Sequence, residues 1–156
     1  MGDHVVDIIH RIGIRAPLSK VYDAVGTAKG VAGWWTRDTT GSDKVGGRTT
    51  VRFLGKDGKE IGAMEYAITR LEPGREVRWR FVSGPPEWVG TEATFELSQD
   101  GDTTVLIFGH RGWKEAVEFT AHCSMKWAVF LLSLRELVET GKGRPAPDDL
   151  KIDNWN

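Results

Sequence analysis

Hydrophobic residues recur along this chain at two spacings, one typical of strands and one typical of a helix. From Val5 to Ile14 apolar and polar positions alternate, which predicts a strand with one mostly apolar face. The same period of two returns in five later segments, so the pattern predicts six strands. The later strands are predicted at Thr49 to Leu54, Glu60 to Arg70, Glu76 to Ser83, Trp88 to Ser98 and Thr103 to Arg111.

Short polar connections containing Asp-Gly or Pro-Gly separate three pairs of these strands, at residues 56–59, 72–75 and 99–102. Connections of this length favour hairpins, so strands that are neighbours in sequence are expected to pair antiparallel. After the first strand, a short helix is predicted to follow Ser19 and to end at Gly26. A second runs from Thr27 towards Trp34 and Trp35. Residues 38–47 are polar and rich in glycine, which predicts a flexible loop.

A long amphipathic helix is predicted to begin at residue 114. One apolar arc recurs at intervals of three and four residues and is expected to lie on the sheet. Its members are Phe119, Cys123, Trp127, Phe130, Leu131, Leu134, Leu137 and Val138. A second, smaller apolar strip on the other side is expected to pack against the chain's own end or a second copy. It contains Ala121, Met125, Ala128, Val129 and Leu132.

These elements predict an α+β fold within one domain over residues 1–156. A six-stranded antiparallel sheet with one apolar face can cover that face only with the long helix and the pair of short helices. The expected arrangement is a helix grip, in which the sheet curves around the C-terminal helix. Residues 141–156 contain proline and aspartate and are predicted to form a C-terminal tail.

Composition excludes several classes of protein. The chain has 156 residues, 21 basic and 22 acidic side chains, and no run of lysine or arginine, so nucleic acid is not an expected partner. Its first residues fit neither a signal peptide nor a membrane span. Cys123 is the single cysteine, so an internal disulfide is impossible and a reducing compartment is favoured. The expected localisation is the cytoplasm.

Two histidines are candidates for chemistry. Strand alternation places His10 and His110 on the apolar faces of the first and last strands, where an imidazole could orient a ligand or move a proton. His110 is the stronger candidate because its strand meets a turn there, which could bring it to the rim of a pocket. The alternative is a buried histidine satisfied by a backbone carbonyl or a water, and this alternative is favoured by about two to one.

Aromatic side chains on the expected inner surfaces could line an apolar pocket for a flat hydrophobic ligand, with indole N–H groups as donors. Dense packing without a cavity is an equal alternative. Cys123 is expected to be a packing thiol, and the spacing of histidine and cysteine does not favour a metal site. The sequence has neither a P-loop nor a Gly-x-Gly-x-x-Gly fingerprint, so no cofactor is expected. The candidate ligand-binding residues are Trp34, Trp35, Trp79, Phe81, Phe95, Phe108, His110, Trp113, Phe119, Cys123, Trp127 and Phe130.

Several motifs, in this order and spacing, resemble the AHSA-like branch of the START-like, or SRPBCC, superfamily, and the likeness covers nearly the whole chain. The motifs are Ile14 to Ala24, Trp34-Trp35, Gly90-Thr91, His110 to Trp113, Trp127 and Glu139 to Gly143. The resemblance implies a helix-grip fold with a cavity between sheet and helix. Chaperone ATPase activators of this group carry an additional N-terminal domain, whereas this sequence starts at the first strand, which argues against co-chaperone activity.

Three functions remain open from the sequence. The first is binding of a small hydrophobic or aromatic molecule. The second is a cyclase, aromatase or hydratase that uses an inward histidine. The third is a stress-related or co-chaperone-like interaction module, and here the strip containing Met125, Val129 and Leu132 could support a weak homodimer. A non-enzymatic role is favoured.

Overall fold

The computed structural model describes residues 5–156, so the first four residues of the predicted domain lie outside the described part. Two short helices and one long helix accompany a single antiparallel sheet, which confirms the α+β helix-grip prediction. The helices are α1 (Leu18–Gly26), α2 (Ala28–Ala32) and α3 (Glu118–Thr140). The strands are β1 (Val6–Ile14), β2 (Asp38–Gly41), β3 (Arg48–Leu54), β4 (Glu60–Glu72), β5 (Glu76–Ser83), β6 (Glu92–Asp100) and β7 (Thr103–Trp113).

The sheet order is β1-β7-β6-β5-β4-β3-β2, with every neighbouring pair antiparallel. The strands from β2 to β7 therefore pair in sequence order. β1 pairs with the other side of β7 and forms one edge of the sheet. In that pairing Ile8 lies opposite His110, and His10 lies opposite Phe108. The predicted inward faces of the first and last strands therefore meet side by side beneath α3.

The prediction of six strands is wrong, because the described chain contains a seventh, β2, within the segment predicted to be a flexible loop. β2 reads Asp-Thr-Thr-Gly and has no apolar residue, so it could not produce a hydrophobic period of two. It is held by backbone pairing with β3, in which Thr39 lies opposite Val51. A short polar strand at a sheet edge is also a poor template for pairing with another chain.

Three predicted boundaries are also wrong. The strand predicted from Trp88 begins at Glu92, because Trp88 lies in a tight connection where its N–H donates to Pro85 O at 2.9 Å. The second short helix ends at Ala32, before the Trp34-Trp35 pair. The long helix begins at Glu118 instead of residue 114.

The sheet-facing arc of α3 is buried as predicted, with Cys123, Trp127, Phe130, Leu131 and Leu134 in the core and Phe119, Leu137 and Val138 packed at its edge. Gly141 ends the helix in the left-handed conformation, at a φ of 90°, and its N–H donates to Leu137 O at 2.8 Å. Among the helices of residues 5–156, none combines the length and apolarity needed to cross a membrane.

Trp35 lies at the centre of the aromatic core. Its ring stacks on Trp79 at 5.7 Å and meets Trp127 of α3 at 5.0 Å between centroids. It also stacks on Trp88 at 6.4 Å, so one side chain links the sheet, the β5–β6 connection and the long helix. Aromatic packing thus fills most of the interface between sheet and helix.

The C-terminal tail, residues 141–156, runs back along α3 towards the beginning of that helix. Arg144 N donates to Ser133 Oγ at 2.8 Å, and Ala146 N donates to Trp35 O at 2.8 Å. Gly143 passes through a gap in which a Cβ atom would lie 2.5 Å from Gly33 O, so a side chain at this position requires the tail to move. The tail is therefore fixed against both α3 and the segment that follows α2.

Candidate functional site

A pocket of about 130 Å³ opens between the first half of α3 and the sheet. Its inner wall is aromatic and aliphatic, and its mouth is formed by polar residues of α3 and by the last residue of the tail. Larger grooves lie on the surface, such as one of about 390 Å³ between α3 and the tail, but this pocket reaches the aromatic core. It is lined by Trp35, Phe53, Met64, Trp88, Phe119, His122, Cys123, Lys126, Trp127, Phe130 and Asn156.

The candidate ligand-binding residues divide between this pocket and the solid core. Those that line the pocket are Trp35, Phe119, Cys123, Trp127 and Phe130. Those that pack in the core and do not line it are Trp34, Trp79, Phe81, Phe95, Phe108, His110 and Trp113. The interior therefore combines the two alternatives left open by the sequence: most of it is filled, and one part of the helix–sheet interface is open.

Several pocket residues were not among the candidates. Phe53 and Met64 lie on the inner faces of β3 and β4, and the alternation of those strands could have identified them. Trp88 was assigned to a strand, so its inward position in the connection could not be inferred. Lys126 and His122 lie beside the apolar arc of α3, and in the sequence they cannot be told from other polar residues on the helix surface. Their part in the pocket becomes visible only from the position of the tail.

Trp88 lines the pocket with its ring, and its indole nitrogen is buried without a partner in the described part of the chain. The indole is 6% exposed, and its Nε1 makes no hydrogen bond to any described residue. The Trp113 indole nitrogen is in the same state, but Trp113 does not line this pocket. The Trp88 nitrogen itself is buried and has almost no accessible surface, so a ligand in the pocket would contact the ring of Trp88 and not its N–H.

His110 is completely buried and both of its ring nitrogens have partners. Trp127 Nε1–H donates to His110 Nδ1 at 3.0 Å, so the proton of the neutral ring lies on Nε2. That Nε2–H donates to Thr91 Oγ1 at 2.8 Å, and the Thr91 hydroxyl donates to Trp88 O at 2.6 Å. The chain of donors fixes one tautomer and connects β7 to α3 and to the β5–β6 connection.

Burial lowers the pKa of His110 from 6.5 to about 3. The ring is therefore neutral at physiological pH and has no free nitrogen with which to receive a proton. This environment is that of a structural histidine, which is the alternative that sequence reasoning favoured.

His10, the other candidate histidine, also serves as a link between elements. Its Nε2 lies 3.1 Å from Ser124 O and 3.3 Å from Ser124 Oγ, so the ring joins β1 to the first half of α3. His10 does not line the pocket. Both histidines thus connect the sheet to α3 by hydrogen bonds, His10 to Ser124 and His110 to Trp127.

The Cys123 thiol lies on the pocket wall but is poorly suited to act as a nucleophile. Burial raises its pKa to about 12; an interaction with the Trp88 indole opposes this rise and the charge of Glu87 adds to it. The Trp88 N–H nevertheless lacks the geometry of a hydrogen bond to the sulfur. Cys123 therefore contributes a small apolar surface to the pocket.

Lys126 holds the tail at the mouth of the pocket. Its side chain is 9% exposed and forms an ion pair with Asp149, whose side chain is 1% exposed. Burial would raise the pKa of Asp149, but hydrogen bonds and charge from Lys126 and Lys151 hold it below its usual value. Nearby, His122 Nδ1 lies 2.7 Å from Asp153 Oδ2, which fixes the last part of the tail to α3.

The second strip of α3 is only partly covered by the tail. Ile152 and Trp155 share a groove with Ala121 and Met125, as the intramolecular alternative expected. Met125 nevertheless stays 56% exposed and Leu132 49% exposed. Within residues 5–156, no three His, Cys, Asp or Glu side chains come together in a way that could hold a metal ion.

A family model described as "Activator of Hsp90 ATPase homolog 1-like protein" matches residues 15–139 of the chain. No curated protein sequence matches it. The solution structure of the Aha1 dimer from Colwellia psychrerythraea is 41% identical in sequence and has a TM-score of 0.77; the match covers 88% of this chain and 99% of that one.

More distant structures share the fold. A crystal structure of a protein from Chromobacterium violaceum is 22% identical, with a TM-score of 0.71, over 85% of this chain and 96% of that one. The protein CalU16 from Micromonospora echinospora is 21% identical, with a TM-score of 0.69, over 90% of this chain and 77% of that one. At such identities the likeness is one of architecture and does not extend to function.

Proposed function

This chain belongs to the family of Activator of Hsp90 ATPase homolog 1-like proteins, within the AHSA-like branch of the START-like superfamily, and we propose that it binds a small hydrophobic or aromatic molecule. The ligand occupies the pocket between the sheet and α3. The observation that carries the proposal is a pocket that opens between the sheet and α3 and is walled by the rings of Trp35, Trp127 and Phe130.

The dimensions and lining of the pocket limit the size of the ligand. A dry cavity of roughly 150 Å³ lined by apolar side chains can hold benzene. The pocket here, at about 130 Å³, suits a group with one aromatic ring, and the rest of a larger ligand would extend through the mouth. Trp35 and Trp127 offer their rings to such a group.

Binding is favoured over cyclase, aromatase or hydratase chemistry. An acid–base role requires a group whose pKa is near the working pH and which can reach the substrate. His110 meets neither condition, because its pKa is about 3 and both ring nitrogens are occupied inside the core. We therefore propose a non-enzymatic role.

Filling the pocket tests the proposal. Ligand-observed NMR with phenol and benzamide is expected to show saturable binding to the wild type, and Cys123→Phe is expected to weaken it at least tenfold by placing a ring in the pocket. Met64→Phe fills the opposite wall and provides a second variant if the first is unstable. Ile61→Phe adds a ring at a residue that is exposed on β4 and is the matched control.

Two results would count against binding in this pocket. One is the absence of saturable binding by either probe. The other is equal binding by the wild type and by a folded pocket-filling variant, because the ligand would then lie elsewhere.

A weak homodimer is a second proposal and concerns the interaction-module alternative. The relative from Colwellia psychrerythraea is described as a dimer in solution, and here Met125, Val129 and Leu132 form a partly exposed apolar strip on α3. Apolar side chains left at a helix surface are a common basis for self-association. We propose that two copies pack through this strip.

Charge inserted into the strip is expected to weaken the dimer. In analytical ultracentrifugation over a concentration series, Met125→Glu with Leu132→Glu should raise the dissociation constant at least tenfold. Val89→Glu, at an exposed apolar residue of the β5–β6 connection, should leave it unchanged. A wild type that sediments as a monomer at millimolar concentration contradicts the proposal.

Cytoplasmic localisation remains part of the proposed function. It is supported by a single cysteine, which cannot form an internal disulfide and is buried as a free thiol. The expected partner is a small molecule, without nucleic acid or membrane.

A further inference from the structure

We propose that the end of the tail, residues 152–156, is a latch that closes the mouth of the pocket and moves away to admit a ligand. The latch lies against the first half of α3, and Asn156 within it lines the pocket. Only the entry of a ligand rests on the proposed function, since the movement itself can be measured without one.

The part of the tail that precedes the latch is anchored in the fold. Ala146 is buried, and its N–H donates at 2.8 Å to the segment that follows α2. The buried carboxylate of Asp149 pairs with Lys126. Leu150 and Lys151, the next two residues, are exposed. The chain can therefore bend there while the anchored part stays in place.

Hydrogen bonds inside the latch allow it to move as one unit. Ile152 N donates to Asn156 O at 3.0 Å and closes a turn. The Asp153 carboxylate accepts from Trp155 N at 2.8 Å and from Asn156 N at 3.2 Å. Because these main-chain groups have their partners within the latch, lifting it does not leave them unpaired.

His122 is the main point at which the latch is attached to α3. Its Nδ1 lies 2.7 Å from Asp153 Oδ2, and its ring lies 5.3 Å from the Trp155 ring between centroids. Asp153 and Trp155 are exposed, and contacts to exposed groups near a chain end contribute little stability. Opening of the latch therefore requires much less free energy than unfolding of the domain.

Lys126 can release the latch and still keep its buried ion pair. Its Nζ lies 3.5 Å from Asn156 O, at the limit of a hydrogen bond, whereas it donates to Leu150 O at 2.9 Å and pairs with Asp149. Of these three contacts, only that with Asn156 involves the latch. Opening therefore removes the weakest bond of Lys126 and leaves the anchor intact.

Solvent hardly reaches the pocket walls while the latch is in place. Cys123 lines the pocket but is only 4% exposed, and Trp35 and Trp127 are buried beside it. Asn156 lines the same pocket from the side of the latch. A ligand ring can therefore reach these side chains only after the latch has moved.

The rate at which N-phenylmaleimide labels Cys123 measures this opening, because Cys123 is the single cysteine and lies on the pocket wall. Asp153→Ala removes the contact with His122 and two bonds of the turn, so the rate should rise roughly fivefold or more, with the midpoint of urea unfolding unchanged. Asp148→Ala is the matched control. It removes an exposed ion pair with Arg37 from the anchored part of the tail and should change the rate by less than about twofold.

Trp155→Ala removes the ring contact with His122 and is a second variant that should also label faster. Equal rates in the wild type and both latch variants overturn the inference. An equal rise in Asp153→Ala and Asp148→Ala also overturns it, because the whole tail would then be loose. A rise that comes with a lower urea midpoint does so too, since Cys123 would then react through global unfolding. Absence of saturable phenol binding overturns the proposed function alone, because labelling requires no ligand.

Discussion

Replacement of Trp35 by alanine is expected to lower the free energy of unfolding by about 3–5 kcal/mol, the usual range for a large buried aromatic residue. Trp35 is 1% exposed and its ring packs on Trp79, Trp88 and Trp127. Alanine would leave a cavity where the sheet, the β5–β6 connection and α3 meet. Since the total stability of a domain is about 5–15 kcal/mol, the variant should be close to unfolding at room temperature. Urea denaturation followed by circular dichroism measures the change.

Trp155→Ala is the matched control, because it removes the same side chain from the tail, where it is 51% exposed. Its effect should stay within about 0.5 kcal/mol, as for most surface substitutions. A loss of less than about 1 kcal/mol in Trp35→Ala would contradict the central role of this ring in the core.

Mild acid is expected to destabilise the protein through His110. Burial lowers the pKa of His110 from 6.5 to about 3, so only the unfolded chain binds a proton there as the pH falls below 6.5. The stability contribution of the neutral ring is complete above pH 6.5 and is lost progressively towards pH 3. Linkage gives a loss of about 2 kcal/mol between pH 7 and pH 5 from this group alone.

His110→Gln provides the control for this pH dependence. Glutamine can still accept from Trp127 and donate to Thr91, but it does not titrate, so the slope between pH 7 and pH 5 should become flat even if the variant is less stable overall. Asp149 contributes in the same direction but in a lower pH range: its pKa is also lowered in the folded protein, so its stabilisation is lost only below about pH 4. The same slope in both proteins, or NMR titration of the His110 ring near pH 6.5, would be incompatible with the assigned environment.

The sequence predicted the elements whose side chains alternate strongly. β1 and β7 have clear apolar faces, and the apolar arc of α3 repeats at helical spacing, so both the elements and their inward residues could be identified. β2 could not be found in this way, because its residues are polar and only its backbone bonds to β3 define it as a strand. The position of Trp88 depends on a tight connection, for which periodicity gives no signal.

The candidate site was less accessible to such reasoning. Alternation places Trp79, Phe108 and Trp127 on inner faces, but whether such rings fill the space or leave a pocket depends on how they pack together. The contact between Lys126 and Asp149 joins residues 23 positions apart across a tail without helix or strand, so no local pattern indicates it. The inward direction of His110 could be predicted from the alternation of its strand. Its hydrogen bonds could not, because they depend on where the fold places Thr91 and Trp127.

Asn156 lies at the mouth of the pocket, next to Lys126, and this position affects how the protein is handled. Any polypeptide joined after Asn156 would emerge beside the pocket opening, so a C-terminal purification tag would stand where a ligand enters. Tags placed ahead of β1 avoid this. Conversely, a fluorophore attached at the last residue would sit within reach of bound ligand and could serve as an optical sensor of occupancy.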